Sequence, residues 1–523
     1  MLGASLEKNR LLLLPFFIGL ALLIYSWYLT YPVYTISAND YVFHHVSILY
    51  WLSLPLLLGS MFLIAITTKS NFLKWILSIG IVLTFFSLYY FYSMMPTVDS
   101  QYFRGLIEYF IKTKNLDASQ LNHQYYEWPA YFVLADILTL VSGLSIASYQ
   151  FLLFAIICIM LATVLHVYTS KRNMAGIITV TAFFISLVYF LDLQAVPFSL
   201  ALALLFLVFM LETQQKNTAV IVSMIVLYVA LLLTHLFVPL FFVLYLLVRG
   251  LIEKNKQTRN QYRNFFLLAL VSYFLLQLTM AKFSFEQVVV GILYTPTDYS
   301  SIASATVSTL PNSTDIIAQF FSRTVVVATI ITGIVGLVFM LIKRKTNTLD
   351  KAILLAGIAY SGLGIVLNTI GFRALALVFI PISLGAAFLF KGKLKPFLAG
   401  LFLVLLILFL FVPLHTSFAT QVTFQTREAY VAENFFLNHF HWESSSFVVT
   451  DFWTASYLTT KTSSYEYIYT TLNTGARPDV VLWTPQMVSS GLANYSSMQS
   501  LSEGERLNLV YNDGNSYVLT KSS

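Results

Sequence analysis

The chain has 523 residues, of which 58% are hydrophobic, 16% aromatic and only 10% charged, against roughly a quarter charged in a soluble domain. Mean hydropathy is +0.77, which means more apolar residues than one globular core can hide, so a water-soluble protein is excluded and the surplus faces lipid. The net charge of +7 sets orientation in a membrane chain before it implies nucleic acid, and the one cysteine, Cys158, excludes an internal disulfide framework and every multi-cysteine metal site.

A spanning helix needs about 20 apolar residues, and such stretches run from residue 11 to residue 413 with few breaks. The first, 11–30, is too long for a removable signal peptide and lacks a small-residue cleavage site, so it reads as a retained span. Lys8 and Arg10 precede it, Lys69 and Lys74 separate span 47–67 from span 75–95, and the connection YPVYTISANDYVFHH carries no Lys or Arg. The positive-inside rule then places the N-terminus in the cytoplasm and residues 96–128 outside. Stronger inside markers follow at VRGLIEKNKQTRNQYR (248–263), IKRK (342–345) and KGKLK (391–395). Lys171 and Arg172 join them only if 129–147 is a shallow or re-entrant element and 149–169 is the true span. Further spans near 174–191, 195–211, 218–233, 236–248, 264–281, 324–342, 350–370, 373–390 and 396–413 give about 13 transmembrane helices. Segment 236–248 is short and suits a half-helix or a bent pair with 218–233. No internal repeat of the kind transporters carry is visible.

Residues 414–523 differ, being rich in Ser, Thr, Asn, Asp and Glu, with alternating pieces SSFVVTDFW, DVVLWT and NSYVLT that read as strands. The predicted fold is a polytopic α-helical membrane protein of the plasma membrane with a small C-terminal extracytoplasmic α/β domain. Its parts are an N-terminal transmembrane hairpin (1–74), a main membrane domain (75–413) with outer loops 96–128 and 282–322, and the tail (414–523).

Few polar residues fall near the outer membrane ends. Asp99 follows the third span in MMPTVDSQYFRG, Asp192 and Gln194 lie in YFLDLQAVPF, His235 in LLLTHLFVP and Arg373 in NTIGFRALAL. Each has a structural reading: Asp192 as a helix cap before Pro197, His235 as a bundle hydrogen bonder, Arg373 as an interfacial anchor. Together they suggest more. Carboxylates converging from Asp99 and Asp192 suit a divalent cation, Mg or Mn, or a general base, and the Arg373 guanidinium suits a phosphate. That combination points to chemistry on a phosphate-linked lipid.

In YFRGLIEYFIKTKN, Tyr102, Leu106, Tyr109 and Phe110 recur at helical spacing opposite Arg104, Glu108, Lys112 and Lys114, which predicts an amphipathic helix along the bilayer surface with Asp99 at its start. The next segment, HQYYEWPAYF, brings Glu127, interfacial aromatics and Pro129 at a helix start. In loop 282–322, TPTDYSSIASATVST is a polar, small-residue chain suited to motion, with Asp298 and Tyr299 as its candidate residues.

This order of features resembles the GT-C superfamily of integral-membrane glycosyltransferases, and most of all archaeal-type members related to the oligosaccharyltransferase catalytic subunit. The likeness runs from about residue 75 to the C-terminus. It is carried by the outer acidic residue before an amphipathic helix, YYEWPAYFVLADILTLVSGLS, the second acidic turn, THLFVPLFFVLYLL, IGFRALALVFIPISL, and in the tail ENFFLNHFHWESSSFVVTDFWTASYLTT and LVYNDGNSYVLTK. The resemblance implies a polyprenyl-phosphate (dolichyl-phosphate type) sugar donor bound from the outer leaflet, inverting transfer without a nucleotide sugar, and Asp99 as catalytic base or metal ligand. Arg373, His235, Asp192, Gln194, Tyr102, Glu127, Asp298 and Tyr299 then become the residues expected around the donor. The chain departs from the family in two places. TDFWTASYL stands where oligosaccharyltransferases carry W-W-D-Y-G, and the acidic pair of the second loop is reduced to Asp192.

Two other functions fit a chain of this kind: a transporter or flippase of lipid-linked sugars, and a non-catalytic subunit of a membrane assembly. Spans that are apolar through their centres, with candidate residues gathered at one face, favour surface chemistry over passage. Asn312-Ser-Thr and Asn494-Tyr-Ser are sequons on the predicted outer side, acceptors at most.

Overall fold

The computed structural model describes residues 2–30, 46–91, 98–114, 124–172, 174–190, 195–214, 218–282, 285, 313–367, 375–390 and 395–412, and in the tail 432, 435–436, 438–439 and five strands. The helices are α1 (Leu2–Thr30), α2 (Ile48–Thr67), α3 (Asn71–Phe85), α4 (Val98–Thr113), α5 (Ala130–Ser142), α6 (Ile146–Ser170), α7 (Gly176–Phe190) and α8 (Pro197–Glu212). They continue with α9 (Thr218–Leu232), α10 (Phe237–Ile252), α11 (Lys256–Thr279), α12 (Ser313–Ile342), α13 (Thr348–Leu367), α14 (Leu375–Leu389) and α15 (Lys395–Leu408). Five contain a stretch long and apolar enough to cross a bilayer: Leu11–Thr30, Ile48–Thr67, Ile146–Ser170, Lys256–Thr279 and Phe320–Ile342. The chain is a helical membrane protein.

Local chemistry sets the helix limits. The hydroxyls of Ser47, Ser70 and Ser145 and the side-chain oxygen of Asn255 accept from backbone N–H groups at the starts of α2, α3, α6 and α11, as N-caps do. Three expectations change. The third span, expected to reach residue 95, is helical only to Phe85 and continues as a 3-10 turn over Ser87–Phe91. There Thr84 Oγ1 bonds the Gly80 carbonyl and Ser87 Oγ the Thr84 carbonyl, two hydroxyls competing for the helix's own acceptors. The basic loop 248–263 is mostly the end of α10 and the start of α11, joined through Glu253–Asn255, because Asn255 caps a helix that begins inside the basic run. The outer loop expected to reach residue 322 ends sooner, since α12 starts at Ser313.

Helices α3, α6, α7, α8 and α14 form the centre, with Phe154, Ile157, Phe183, Phe184 and Phe206 fully buried. At the periphery α1 lies along α2; only 11% of its apolar stretch is buried, against 67% for α2. Trp27 Nε1 nevertheless ties α1 to the main bundle through the Tyr90 carbonyl at 3.0 Å. The closest crossing pairs α12 with α14. There a Cβ on Gly336 would strike the Gly385 backbone and one on Gly333 would strike Ile382, which is how small residues let membrane helices approach.

In the tail, β1 (Val448–Val449), β2 (Ile468–Tyr469), β3 (Val480–Trp483), β4 (Leu507–Asn512) and β5 (Tyr517–Lys521) form one sheet in the order β2-β1-β3-β5-β4. The first three are parallel neighbours, and β5 runs antiparallel to both β3 and β4. Leu482 and Val518 face each other across β3 and β5 and are fully buried.

Candidate functional site

Helix α4 carries Asp99 in its first turn. Its buried side chains are Phe103, Leu106, Ile107 and Phe110, spaced i, i+3, i+4, i+7, while Arg104 and Glu108 pair at 2.8 Å. The apolar face does not simply lie on the bilayer, because it is covered by protein. Phe103 meets Tyr125 at 4.8 Å and Tyr131 at 5.8 Å between ring centroids, and α4 packs on α5 and α6. The periodicity predicted the helix, but the face that anchors it is set by Phe103 and Ile107.

Four further contacts draw the neighbouring segments to this end of the bundle. Gln150, fully buried in the first turns of α6, donates Nε2–H to the Ser100 carbonyl at 2.6 Å, one residue beyond Asp99. Tyr131 donates its hydroxyl to the carbonyl of Ala195, the residue after Gln194, at 2.5 Å. The Ala130 N–H donates to the Leu233 carbonyl at 2.9 Å, which brings the His235 turn to the start of α5. Tyr360, on the helix that precedes Arg373 in the chain, donates to the Phe237 carbonyl at 2.7 Å. Separate hydrogen bonds therefore link the first turn of α4 to α6, the start of α5 to Ala195 and to Leu233, and the start of α10 to α13.

His235 is buried at 6% exposure, with its ring edge-on to Phe198 at 5.5 Å. Its Nδ1 accepts from the Phe237 N–H at 3.1 Å, so a neutral ring carries its proton on Nε2. The residue thus satisfies a backbone N–H at the start of α10. Glu127, 5% exposed, ends a 3-10 turn over Gln124–Glu127. That turn is fastened to α4 by the Tyr126 hydroxyl on the Leu106 carbonyl at 2.6 Å, seven residues and therefore about 10 Å along the helix from Asp99. Asp99 and Tyr102 are placed on α4, but their side chains lie outside the described residues, as do Asp192, Gln194, Asp298, Tyr299 and Arg373 entirely.

Tyr131, Gln150 and Tyr360 escaped sequence reasoning. Gln150 was the most legible of them, as an amide in an otherwise apolar helix is costly and marks a specific partner. Among the described residues no group of three or more His, Cys, Asp or Glu side chains is arranged to hold a metal ion.

No protein-family model and no curated protein matches this chain.

One sizeable cavity, about 510 Å³, lies away from this site between α9, α10 and α11. Its wall is mostly apolar, with Glu212, Thr258, Gln261 and Tyr262 toward the basic-loop end of the helices and Tyr228 and Ser272 further along. It takes no part in the arrangement around α4.

Proposed function

We propose that this chain is a membrane glycosyltransferase of GT-C type, moving a sugar from a polyprenyl-phosphate-linked donor to an acceptor on the outer face of the plasma membrane. The observation that carries the reading is the meeting of the α4 turn that bears Asp99 with the start of α6, of Ala195 with Tyr131, and of the His235 turn with α5 and α13. Residues far apart in sequence are drawn to one end of the bundle, which is what a site built from loop ends requires. In this reading the membrane part makes about 13 crossings, 129–147 is re-entrant, the N-terminus is cytoplasmic, and the sheet-bearing tail is an extracytoplasmic α/β domain.

An acceptor hydroxyl is a poor nucleophile at neutral pH. Asp99 takes its proton as the hydroxyl oxygen bonds to the anomeric carbon, and the bond from that carbon to the phosphate oxygen breaks with its electron pair leaving on the phosphate. Arg373 stabilises the departing phosphate with two parallel hydrogen bonds, and His235 is a further residue of the donor site in this reading. Asp99 and Asp192 are the residues that would hold a divalent cation, Mg or Mn, which would supply charge neutralisation to the lipid phosphate.

The test uses purified protein in liposomes holding polyprenyl-phosphate mannose or polyprenyl-phosphate glucose, with membranes from cells lacking the chain as the acceptor source. Asp99→Asn is expected to lower turnover on the order of a hundredfold or more while leaving donor binding intact. Arg373→Ala weakens binding as well, and Arg373→Lys restores only part because a point charge does not reproduce the fork. Transfer by Asp99→Asn at the unmodified rate would overturn the catalytic assignment and favour a non-catalytic subunit.

A further inference from the structure

Gln150 engages only one of its two polar side-chain atoms. Its Nε2 is bonded to the Ser100 carbonyl, but its Oε1, buried with the rest of the side chain, has no hydrogen-bond partner among the described residues, and neither does the neighbouring buried hydroxyl of Tyr149. Burying an amide and leaving its acceptor unsatisfied costs more than an apolar residue of similar size at the same place. A purely structural helix start gains nothing from that arrangement, since the Ser145 hydroxyl already caps α6 through the Ser148 N–H at 3.2 Å.

The bond that Gln150 does make is directed at one place. Ser100 follows Asp99, and its carbonyl lies in the first turn of α4. We propose that Gln150 is a positioning residue, its Nε2–H clamping the Ser100 carbonyl so that the α4 turn bearing Asp99 is held against α6, with Oε1 left as an acceptor facing the same junction. The proposal rests on the reading of Asp99 as the base. A displacement of about 1 Å at such a group costs on the order of a hundredfold in rate, so one short hydrogen bond to the adjacent peptide is enough to matter.

The experiment has two arms. In the first, Asp99→Cys protein in liposomes is labelled with a water-soluble maleimide, alone and combined with Gln150→Leu. Loss of the clamp is expected to raise the labelling rate several-fold, and an unchanged rate overturns the proposal whatever the protein's activity. In the second, transfer from polyprenyl-phosphate mannose and polyprenyl-phosphate glucose is measured with Asp99 intact. Gln150→Leu is expected to lower kcat at least tenfold with KM for the donor within about twofold. Gln150→Glu is isosteric but donates only when protonated, so its activity is expected to recover as pH falls, moving the pH optimum to the acid side of the unmodified protein. A loss of kcat that tracks a fall in melting temperature, with no shift of the pH profile, marks a merely structural glutamine and overturns the proposal. Faster labelling with no transfer by any variant would instead leave the clamp standing and count against the glycosyltransferase reading.

Discussion

The two ends of the helical bundle are fastened by different chemistry. At the end where the basic segments gather, the links run between charged side chains. Arg172, at the end of α6, meets Asp350, in the first turn of α13, at 2.5 Å, and stacks over the Tyr168 ring at 4.1 Å. Arg249 lies between Glu253 at 2.5 Å and Glu212 at 3.9 Å, and Tyr262 donates to Glu212. At the opposite end the links run from neutral side chains to backbone carbonyls: Tyr126 to Leu106, Tyr131 to Ala195, Gln150 to Ser100 and Tyr360 to Phe237. Ion pairs fix helix ends but consume the charges. Phenols and amides on backbone fix loop ends without drawing on a charged group. On the glycosyltransferase reading proposed above, the first end is scaffold and the second is where the chemistry takes place.

The strongest way to break this comparison is to remove one partner of the buried charge pair. The Asp350 side chain is only 1% exposed, and it also accepts from Tyr168 at 2.7 Å. Asp350→Ala leaves Arg172 without its carboxylate, and breaking such a pair costs about 3–5 kcal/mol. Thermal unfolding in detergent micelles measures it. The double variant Arg172→Met, Asp350→Leu is expected to regain most of the loss, because removing both charges avoids a stranded one. Both should transfer sugar normally at temperatures where they remain folded, since the lock is at the far end from Asp99.

A smaller effect on stability, but a larger one on function, is expected at the other end. Tyr131→Phe removes the hydroxyl that holds Ala195 and leaves that carbonyl without this donor. Stability should fall by about 1 kcal/mol, while turnover falls on the order of tenfold as the segment after Gln194 loses its anchor. Equal transfer by Tyr131→Phe and the unmodified protein would mean that the backbone links at this end are ordinary packing, and the contrast between the ends would lose its functional meaning.

How much of this was legible in the sequence differs between the same two ends. Lys171 and Arg172 were read as markers of membrane side, and the structure does gather the basic segments: Trp75, one residue after Lys74, reaches Thr163 of α6 at 3.0 Å, and Arg172 reaches Asp350. What periodicity and charge could not give was the partner. Arg172 and Asp350 are 178 residues apart, and nothing local in TLDKAILL distinguishes a capping aspartate from one that also closes a tertiary ion pair. Helix α4 was legible because its apolar residues recur at a helical period, but Phe103 and Ile107 were not assigned to its buried face, since the pattern alone does not tell lipid from protein as the covering surface. The helix limit near Phe85 turns on single hydroxyl groups that a hydropathy window averages away. At the site, residues chosen for their charge were visible, whereas Tyr131, Gln150 and Tyr360 act through one backbone bond each and leave no pattern.

The weakest expected effect sharpens the comparison from the other side. An ion pair does occur near α4: Lys114 Nζ meets Asp136 Oδ1 at 2.5 Å, as short as the Arg172 pair. The distance is the same, but the setting is not. The Lys114 side chain is 52% exposed, against 19% for Arg172, so water and salt screen its charge and the lysine gives up rotamer freedom to hold one geometry. Lys114→Ala is therefore expected to cost about 0.5 kcal/mol or less, and raising the salt to about 1 M, where the screening length falls to about 3 Å, should remove even that difference. Asp350→Ala should keep its full deficit under the same salt. If Lys114→Ala destabilised the protein as much as Asp350→Ala, the pair would be structural in the same sense as the locks at the basic end, and the α4 end would be held by charge after all.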